Sequence, residues 1–510
     1  KRQQYWYADI FHAYGWMVTV GLLVVGVFML TNNLDYENQL GTLNFIRLSP
    51  LSSEKILIGK LLGVPSLVYL AALLFLPAQH WLGLKAGLSL GWLLLNDLVL
   101  VLGLFFWSCL GLLSSLVVPW RSGLQPWLWS ILALLCTLAP LGSTDGDELN
   151  DVFDLFTPTT LLIHLHDAAV ASAPALEQNV WTGSVIQPGQ LWWIGAIVGG
   201  SLLWFGGWLW LALNRRFQSP TATLLSKPQS YLFTIGIEIA AVSTATVLMD
   251  NRDFRFIFLM LVNLLLGFGL MVILAGQRQP LIDWARFRHR QAQGGAQGGT
   301  ADTAELAPPR RTSIWTDLLW GDRSPSTVAI AVNLGIAALC IGVWQSLYIV
   351  LVESTQHSGE YTITPSGSIW QTLQNFHFGM VTNVSDLWFC GLQLLHGLGA
   401  ILALVIFVQI IMLWRVQSRA VWALAFVAAN LVLPLIAATL LQDALPLLWV
   451  FSPFGWVETS SLLIDIALEF SVGLQALTIA IGGFCLRRSL DKLGTSELKE
   501  LTAAHRSRRR

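Results

Sequence analysis

The chain has 510 residues, of which 55% are hydrophobic and only 12% are charged. Soluble domains carry about 25% charged residues, so this composition excludes an ordinary soluble enzyme. With 29 basic and 30 acidic residues the net charge is −1, which offers no basis for nucleic-acid binding.

A hydrocarbon core of about 30 Å needs about 20 apolar residues per helix. That measure predicts an all-α, polytopic membrane protein with eleven spans. Five fall in the first half, at 13–31, 55–77, 91–118, 124–142 and 191–213. Six follow, at 231–250, 254–276, 326–352, 388–414, 420–441 and 459–486. The 231–250 and 254–276 pair also reads as one re-entrant unit. The five cysteines lie in or beside these runs without a CxxC pair, and read as small core residues.

Basic residues resist translocation and set the orientation. No Lys or Arg occurs between Arg121 and Arg215, Arg323 and Arg415, or Arg419 and Arg487. The connectors 143–190, 353–387 and 442–458 are therefore expected outside. Basic clusters at 47–60, 215–227, 278–323, 415–419 and 487–510 are expected inside, which makes the C-terminus cytoplasmic. The same alternation puts residues 1–12 outside despite their Lys1-Arg2 start. A further span before Lys1 would resolve this and give six plus six. The expected organisation is a transmembrane domain over 1–216, a cytoplasmic linker at 217–230 and a second six-helix domain over 231–486. The last contains a flexible inside loop, 277–325, and is followed by a basic tail, 487–510.

Two short matches hint at duplication. Arg47-Leu48-Ser49-Pro50 and Asp322-Arg323-Ser324-Pro325 each precede a span on the inside. Phe156-Thr157-Pro158 and Phe451-Ser452-Pro453 precede the last span of each half on the outside.

The stretch 32–60 is neither lipid-like nor loop-like. Leu40, Leu43 and Phe45 alternate with Glu37, Asn38, Thr42 and Arg47, as in a short amphipathic helix lying on the membrane and ended by Pro50. It reads either as an anchor or as a lever docked to a cytosolic partner. Glu37, Gly41-Thr42-Leu43, Leu48-Ser49-Pro50-Leu51-Ser52 and Ile56-Leu57-Ile58-Gly59-Lys60 together resemble the signature of ABC-2 type permeases, the transmembrane subunits of ATP-binding cassette exporters.

That resemblance implies a coupling helix carrying Glu37, Gly41, Thr42, Leu43 and Arg47 against an ATPase. The next helix would start after Ser49 and Pro50 and carry Gly59 and Lys60. It makes 13–31 the family's second helix, and residues 149–163 its short embedded helices. The implied partners are membrane lipids and a dimer of cytosolic ATPase subunits, with both transmembrane halves in one chain and the whole in the plasma (inner) membrane. The likeness covers about 1–216. In the second half Asp283, Trp284 and Arg286 hold the coupling position without the Glu-x-x-x-Gly-Thr pattern, so a divergent permease domain and an unrelated appendage both stay open.

Gly59-Lys60 lacks the rest of a phosphate-cradling GxxxxGK[ST] loop, so no cofactor is expected on this chain, and ATP with Mg would bind the partner ATPase. No catalytic residue and no metal site are expected. His164-Leu165-His166-Asp167 is too short a ligand set, and Asp145, Asp147, Glu148, Asp151 and Asp154 lack EF-hand spacing. Asp97, Glu238, Asp465 and Glu469, with His396, are ionisable groups inside spans. Each reads as part of a polar helix seam or as a translocation-path residue, since a charge in lipid costs at least about 2.5 kcal/mol. They support one rival function, an ion-coupled secondary transporter. A non-transporting scaffold or assembly factor is the other.

Overall fold

The computed structural model describes residues 2–117, 123–138, 140, 155–172, 188–248, 252–274, 278–294, 313–348, 384–414, 416, 418–440 and 462–508. Every regular element among them is a helix. The chain divides into two compact units, Lys1–Leu224 and Leu225–Arg510.

The first unit opens with α1 (Arg2–Val20), a π-helical segment (Gly21–Val25) and α2 (Gly26–Leu40). These run on as one helical rod from Gln3 to Leu40, 38 residues long, with an apolar middle. At 1.5 Å per residue that is about 57 Å, well beyond a hydrocarbon core of about 30 Å. The expected span 13–31 is thus only the middle of the rod. Residues 36–40, expected in a surface helix, are instead its last turns.

Gly41 stops the rod with a left-handed φ of 74°, its N–H bonded to Asn38 O at 3.2 Å. After it come α3 (Leu43–Arg47), α4 (Ser53–Gly63) and α5 (Ser66–Lys85). The expected span 55–77 is therefore two helices meeting at Val64-Pro65, because proline lacks the N–H that would continue α4. The membrane-length piece is Ser66–Lys85.

The remaining helices of this unit are α6 (Leu90–Val117), α7 (Leu124–Leu138), α8 (Thr159–Ser172) and α9 (Pro188–Gln218). Helix α6 lies against both α2 and α9. A Cβ on Gly111 would sit 2.5 Å from Thr31 Oγ1 of α2, and one on Gly195 would sit 2.5 Å from Leu95 of α6. Small residues at crossings allow this close packing where lipid supplies no hydrophobic drive. Residues 155–159 lead into α8. Thr157 Oγ1 donates to Cys136 O at 2.9 Å and Thr159 Oγ1 to Thr137 O at 2.8 Å, tying that entry to the end of α7. Of the expected embedded segment 149–163, residues 149–154 lie outside the described residues.

The second unit contains α10 (Lys227–Leu248), α11 (Arg252–Ile273), α12 (Arg278–Gly294), α13 (Ile314–Trp320) and α14 (Thr327–Tyr348). Three long helices complete it, α15 (Val384–Met412), α16 (Arg419–Leu440) and α17 (Leu462–Arg508). Its core gathers Leu259, Leu270, Ile330, Ile341 and Val405 from α11, α14 and α15. Helix α12 is not part of that core. Its Leu281 packs on Leu413, Leu486 and Leu490.

Seven described helices are long and apolar enough to cross a membrane: Gln3–Leu40, Ser66–Lys85, Leu90–Val117, Leu191–Gln218, Thr327–Leu347, Gly391–Met412 and Ile466–Lys492. Three expected spans are shorter apolar helices here, Leu124–Leu138, Phe258–Ile273 and Val421–Leu433. The expected span 231–250 is helical as α10 but carries a run of polar residues, Ser230, Thr234 and Glu238. The connectors 353–383 and 442–458, the loop 295–312 and the acidic run 145–154 lie outside the described residues.

Candidate functional site

The stretch 32–60 folds as a closed loop. Asn33 and Glu37 stand one turn apart on α2, and Lys60 lies near the end of α4. Lys60 Nζ is 2.6 Å from each Glu37 carboxylate oxygen and donates to Asn33 Oδ1 at 3.0 Å. The ammonium is thus shared by three acceptors, with Lys60 and Glu37 side chains only 12% and 20% exposed. A charge-assisted pair this sheltered is stronger than a surface ion pair. Glu37 and Lys60 clamp the two ends of residues 38–59, so Glu37 meets its basic partner within its own chain.

Other polar side chains of the stretch are engaged in the same way. Asn38 Nδ2 donates to Ser115 O at 3.1 Å, and Gln39 Nε2 to Asp35 Oδ2 at 2.9 Å. Thr42 is exposed, and its Oγ1 donates back to Glu37 O at 3.2 Å. Arg47 donates to Asn44 Oδ1 at 3.3 Å and lies 5.6 Å from the Phe217 ring centroid of α9, a cation–π contact. Burial first, then the like charge of Arg216, pulls the Arg47 pKa below the usual arginine value.

The apolar residues divide differently from the expectation. Leu43 is 1% exposed and points into the unit, whereas Phe45 is 76% and Leu48 82% exposed. Leu40 and Leu51 are also exposed. What the loop presents outward is therefore an apolar tip at Phe45 and Leu48, flanked by exposed Asn44, Pro50 and Ser52. Gly59 is exposed and a Cβ on it would touch nothing, so it is not a packing glycine.

Within this chain Gly41 serves the backbone turn. A Cβ there would meet no atom within 4 Å, but the φ of 74° is costly for other residues. Gly41→Asn should keep the turn, because asparagine enters the left-handed region readily. Gly41→Val should lower stability by about 1–2 kcal/mol, read as a fall in melting temperature of the purified chain.

In the second unit the coupling candidates Asp283, Trp284 and Arg286 lie on α12. Trp284 Nε1 donates to Asp317 Oδ2 at 3.3 Å, and Arg288 forms an ion pair with the same carboxylate. Arg286 lies 3.4 Å from Asp283 on its own helix. Trp284 is thus spent on bracing α12 against α13, and only Asp283 of the three is exposed. Lys227 holds the other end of α13. It is 2% exposed, and its Nζ donates to Leu318 O at 2.7 Å, Ser324 Oγ at 2.5 Å and Pro325 O at 3.1 Å. Burial lowers its pKa to about 8, against the raising effect of Asp322 and Asp317. Ser324 is 3% exposed, and its single hydroxyl hydrogen is shared between Asp317 O at 2.6 Å and Gly321 O at 2.8 Å. Its counterpart in the sequence match, Ser49, has a buried hydroxyl with no partner, so the paired motifs are built differently inside each unit.

The ionisable residues expected inside spans fall in both units. In the first unit Asp97 Oδ2 lies 2.8 Å from His80 Nε2, joining α6 to α5. In the second, Glu238 is 0% exposed on α10, and Glu469 is exposed on α17. The Asp465 side chain lies outside the described residues. His396 Nδ1 stands 3.1 Å from Ser471 Oγ and 2.9 Å from Gln475 Nε2, joining α15 to α17.

His166 of α8 stacks on His12 of α1 with ring centroids 4.5 Å apart. Its Nε2 is 3.2 Å from Asp9 and its Nδ1 3.4 Å from Asp167. Among the described residues no group of three or more His, Cys, Asp or Glu side chains is arranged to hold a metal. The Asp167 hydrogen bond leads the causes that raise the His166 pKa, opposed by burial and helped by Asp9. A raised folded pKa means stability that is full below the free-imidazole value and lost as pH rises through the folded one. His166→Gln should therefore cost more at about pH 6 than at about pH 8, by about 0.5 kcal/mol or less since both acids are exposed. Melting curves at the two pH values check it.

Sequence reading passed over Asn33, His80, Lys227, Asn263 and Asn333. The signal for part of this set was present: Lys227, Ser230, Tyr231, Thr234 and Glu238 recur at three- and four-residue steps, a polar stripe on an otherwise apolar helix. No family model matches the chain, and no curated protein or solved structure is significantly similar to it.

Proposed function

We propose that this chain is the membrane permease of an ATP-driven exporter of the ABC-2 type, working with separate cytosolic ATPase subunits that bind ATP and Mg. The observation that carries the reading is the clamped 32–60 loop, whose motif residues Glu37 and Lys60 hold it while Phe45 and Leu48 stand outward. A loop whose two ends are fastened to each other passes a push at its tip into α2 and α4 together. An unfastened anchor would absorb that push.

In this reading the seven long helices, the three shorter apolar helices and α10 make eleven spans. The C-terminal end of α17 lies in the cytoplasm and the protein in the inner membrane. The exposed Asp283 marks where α12 would meet the second ATPase subunit. The chain itself performs no catalysis.

Purification of the full chain in mild detergent tests the reading. A nucleotide-binding subunit should co-purify and hydrolyse ATP in the complex. The specific observation favouring an ion-coupled transporter is the buried Glu238. Transport that persists in vesicles with no ATPase present would establish that rival and overturn the proposal.

A further inference from the structure

Along one face of α10, Ser230, Thr234 and Glu238 follow at four-residue steps, and all three are 0% exposed. Two equally buried asparagines meet that face, Asn333 of α14 and Asn263 of α11. The Asn333 end is satisfied. Its Nδ2 donates to Ser230 Oγ and to Ala329 O, each at 3.0 Å, and its Oδ1 accepts from Thr234 Oγ1 at 2.9 Å.

The Asn263 end is not. Asn263 Nδ2 donates to Leu259 O at 3.0 Å and to Glu238 Oε2 at 3.5 Å, so both of its N–H bonds are used. Glu238 Oε1 and Asn263 Oδ1 remain buried acceptors with no donor. Two orphan oxygens beside one carboxyl are what a missing hydrogen leaves. An isolated carboxylate in an apolar interior is so costly that the group neutralises instead.

The charged and titratable groups on the elements packed against α10 do not supply the counter-charge. Cys340 of α14 is within electrostatic reach of Glu238 but is a neutral thiol or an anion, never a cation. Arg252, Asp253 and Arg255 of α11 precede Asn263 by two helical turns or more, and Tyr348 of α14 follows Cys340 by two turns. Asp317 of α13 is paired with Arg288. Lys227, on α10 itself, is three turns from Glu238 and bound to Leu318, Ser324 and Pro325.

We propose that Glu238 and Asn263 form an intramembrane proton-binding site in the second unit. The bound proton turns one orphan acceptor, Glu238 Oε1, into an O–H donor. A metal cation is the poorer fit, because only two free oxygens are on offer and hard cations take about six. Helices α10 and α11 must move apart for water to reach the carboxyl and exchange the proton. The site does not depend on an ATPase, so its failure and that of the exporter reading are separate results.

Dicyclohexylcarbodiimide, an apolar reagent that adds to protonated carboxyls in water-poor sites, provides the test. Membranes holding the full chain would be treated across a range from about pH 6 to about pH 9, and the labelled peptide identified by mass spectrometry. The expected label is on Glu238, falling as pH rises, unaffected by Na⁺ or K⁺ and lost in Glu238→Gln. No label on Glu238 at any pH, with other carboxyls labelled, overturns the proposal. Protection by Na⁺ at fixed pH overturns it in favour of a metal-ion site. The unaltered chain carries the readout, so the test stands even where the glutamine variant fails to fold.

Discussion

Lys60→Met should destabilise the first unit by about 2–3 kcal/mol, below the full cost of breaking a buried pair because Glu37 keeps some access to water. Methionine fills much the same volume but leaves both Glu37 oxygens and Asn33 Oδ1 without their shared donor. Glu37→Leu alone should cost a similar amount, since it strands the ammonium. The double variant should recover much of the loss, because a neutral pair of similar volume has no charge left to desolvate. Denaturant melts of the four proteins give the coupling energy directly. Strict additivity of the two single costs would mean that the clamp contributes nothing.

The same pair shows what a sequence can and cannot disclose. Glu37 and Lys60 stand out as motif residues, and the helical class follows from long apolar runs with few charges. Their contact does not follow, because 23 residues separate them and their meeting depends on how α2, Gly41, α3 and α4 fold back. The position of Gly41 was visible, but the reason for it was not. Glycine serves close approach and positive φ equally, and only the backbone separates the two.

Span boundaries blurred for a related reason. Hydropathy measures length but not continuity, so it reads through the Val64-Pro65 break and stops short of the polar end of α2. In the second unit the i, i+4 stripe on α10 was legible from spacing, whereas Asn263 and Asn333 enter from helices whose register on α10 is a tertiary property. The bracing of Trp284 by Asp317 was likewise invisible, 33 residues apart across a connection outside the described residues.

Because Glu37 is committed within the chain, removing it does not ask cleanly whether the loop meets an ATPase. Glu37→Ala would damage the fold and the interface alike, and Gly41→Trp would add backbone strain to bulk. The separating variants lie at the tip. Phe45→Ala and Leu48→Ala remove side chains that are 76% and 82% exposed, so each should change stability by about 0.5 kcal/mol or less. If the tip docks in an ATPase groove, a buried aromatic anchor there is worth about 2 kcal/mol, and Phe45→Ala should weaken association by about tenfold or more. Leu48→Ala should cost less, as leucine is seldom a dominant interface residue. If the tip only rests in the headgroup region, both variants should bind the ATPase as the parent does. Titration of purified ATPase against the full chain in nanodiscs distinguishes these outcomes. Unchanged affinity with Phe45→Ala removes the lever from this loop, whatever else the chain transports.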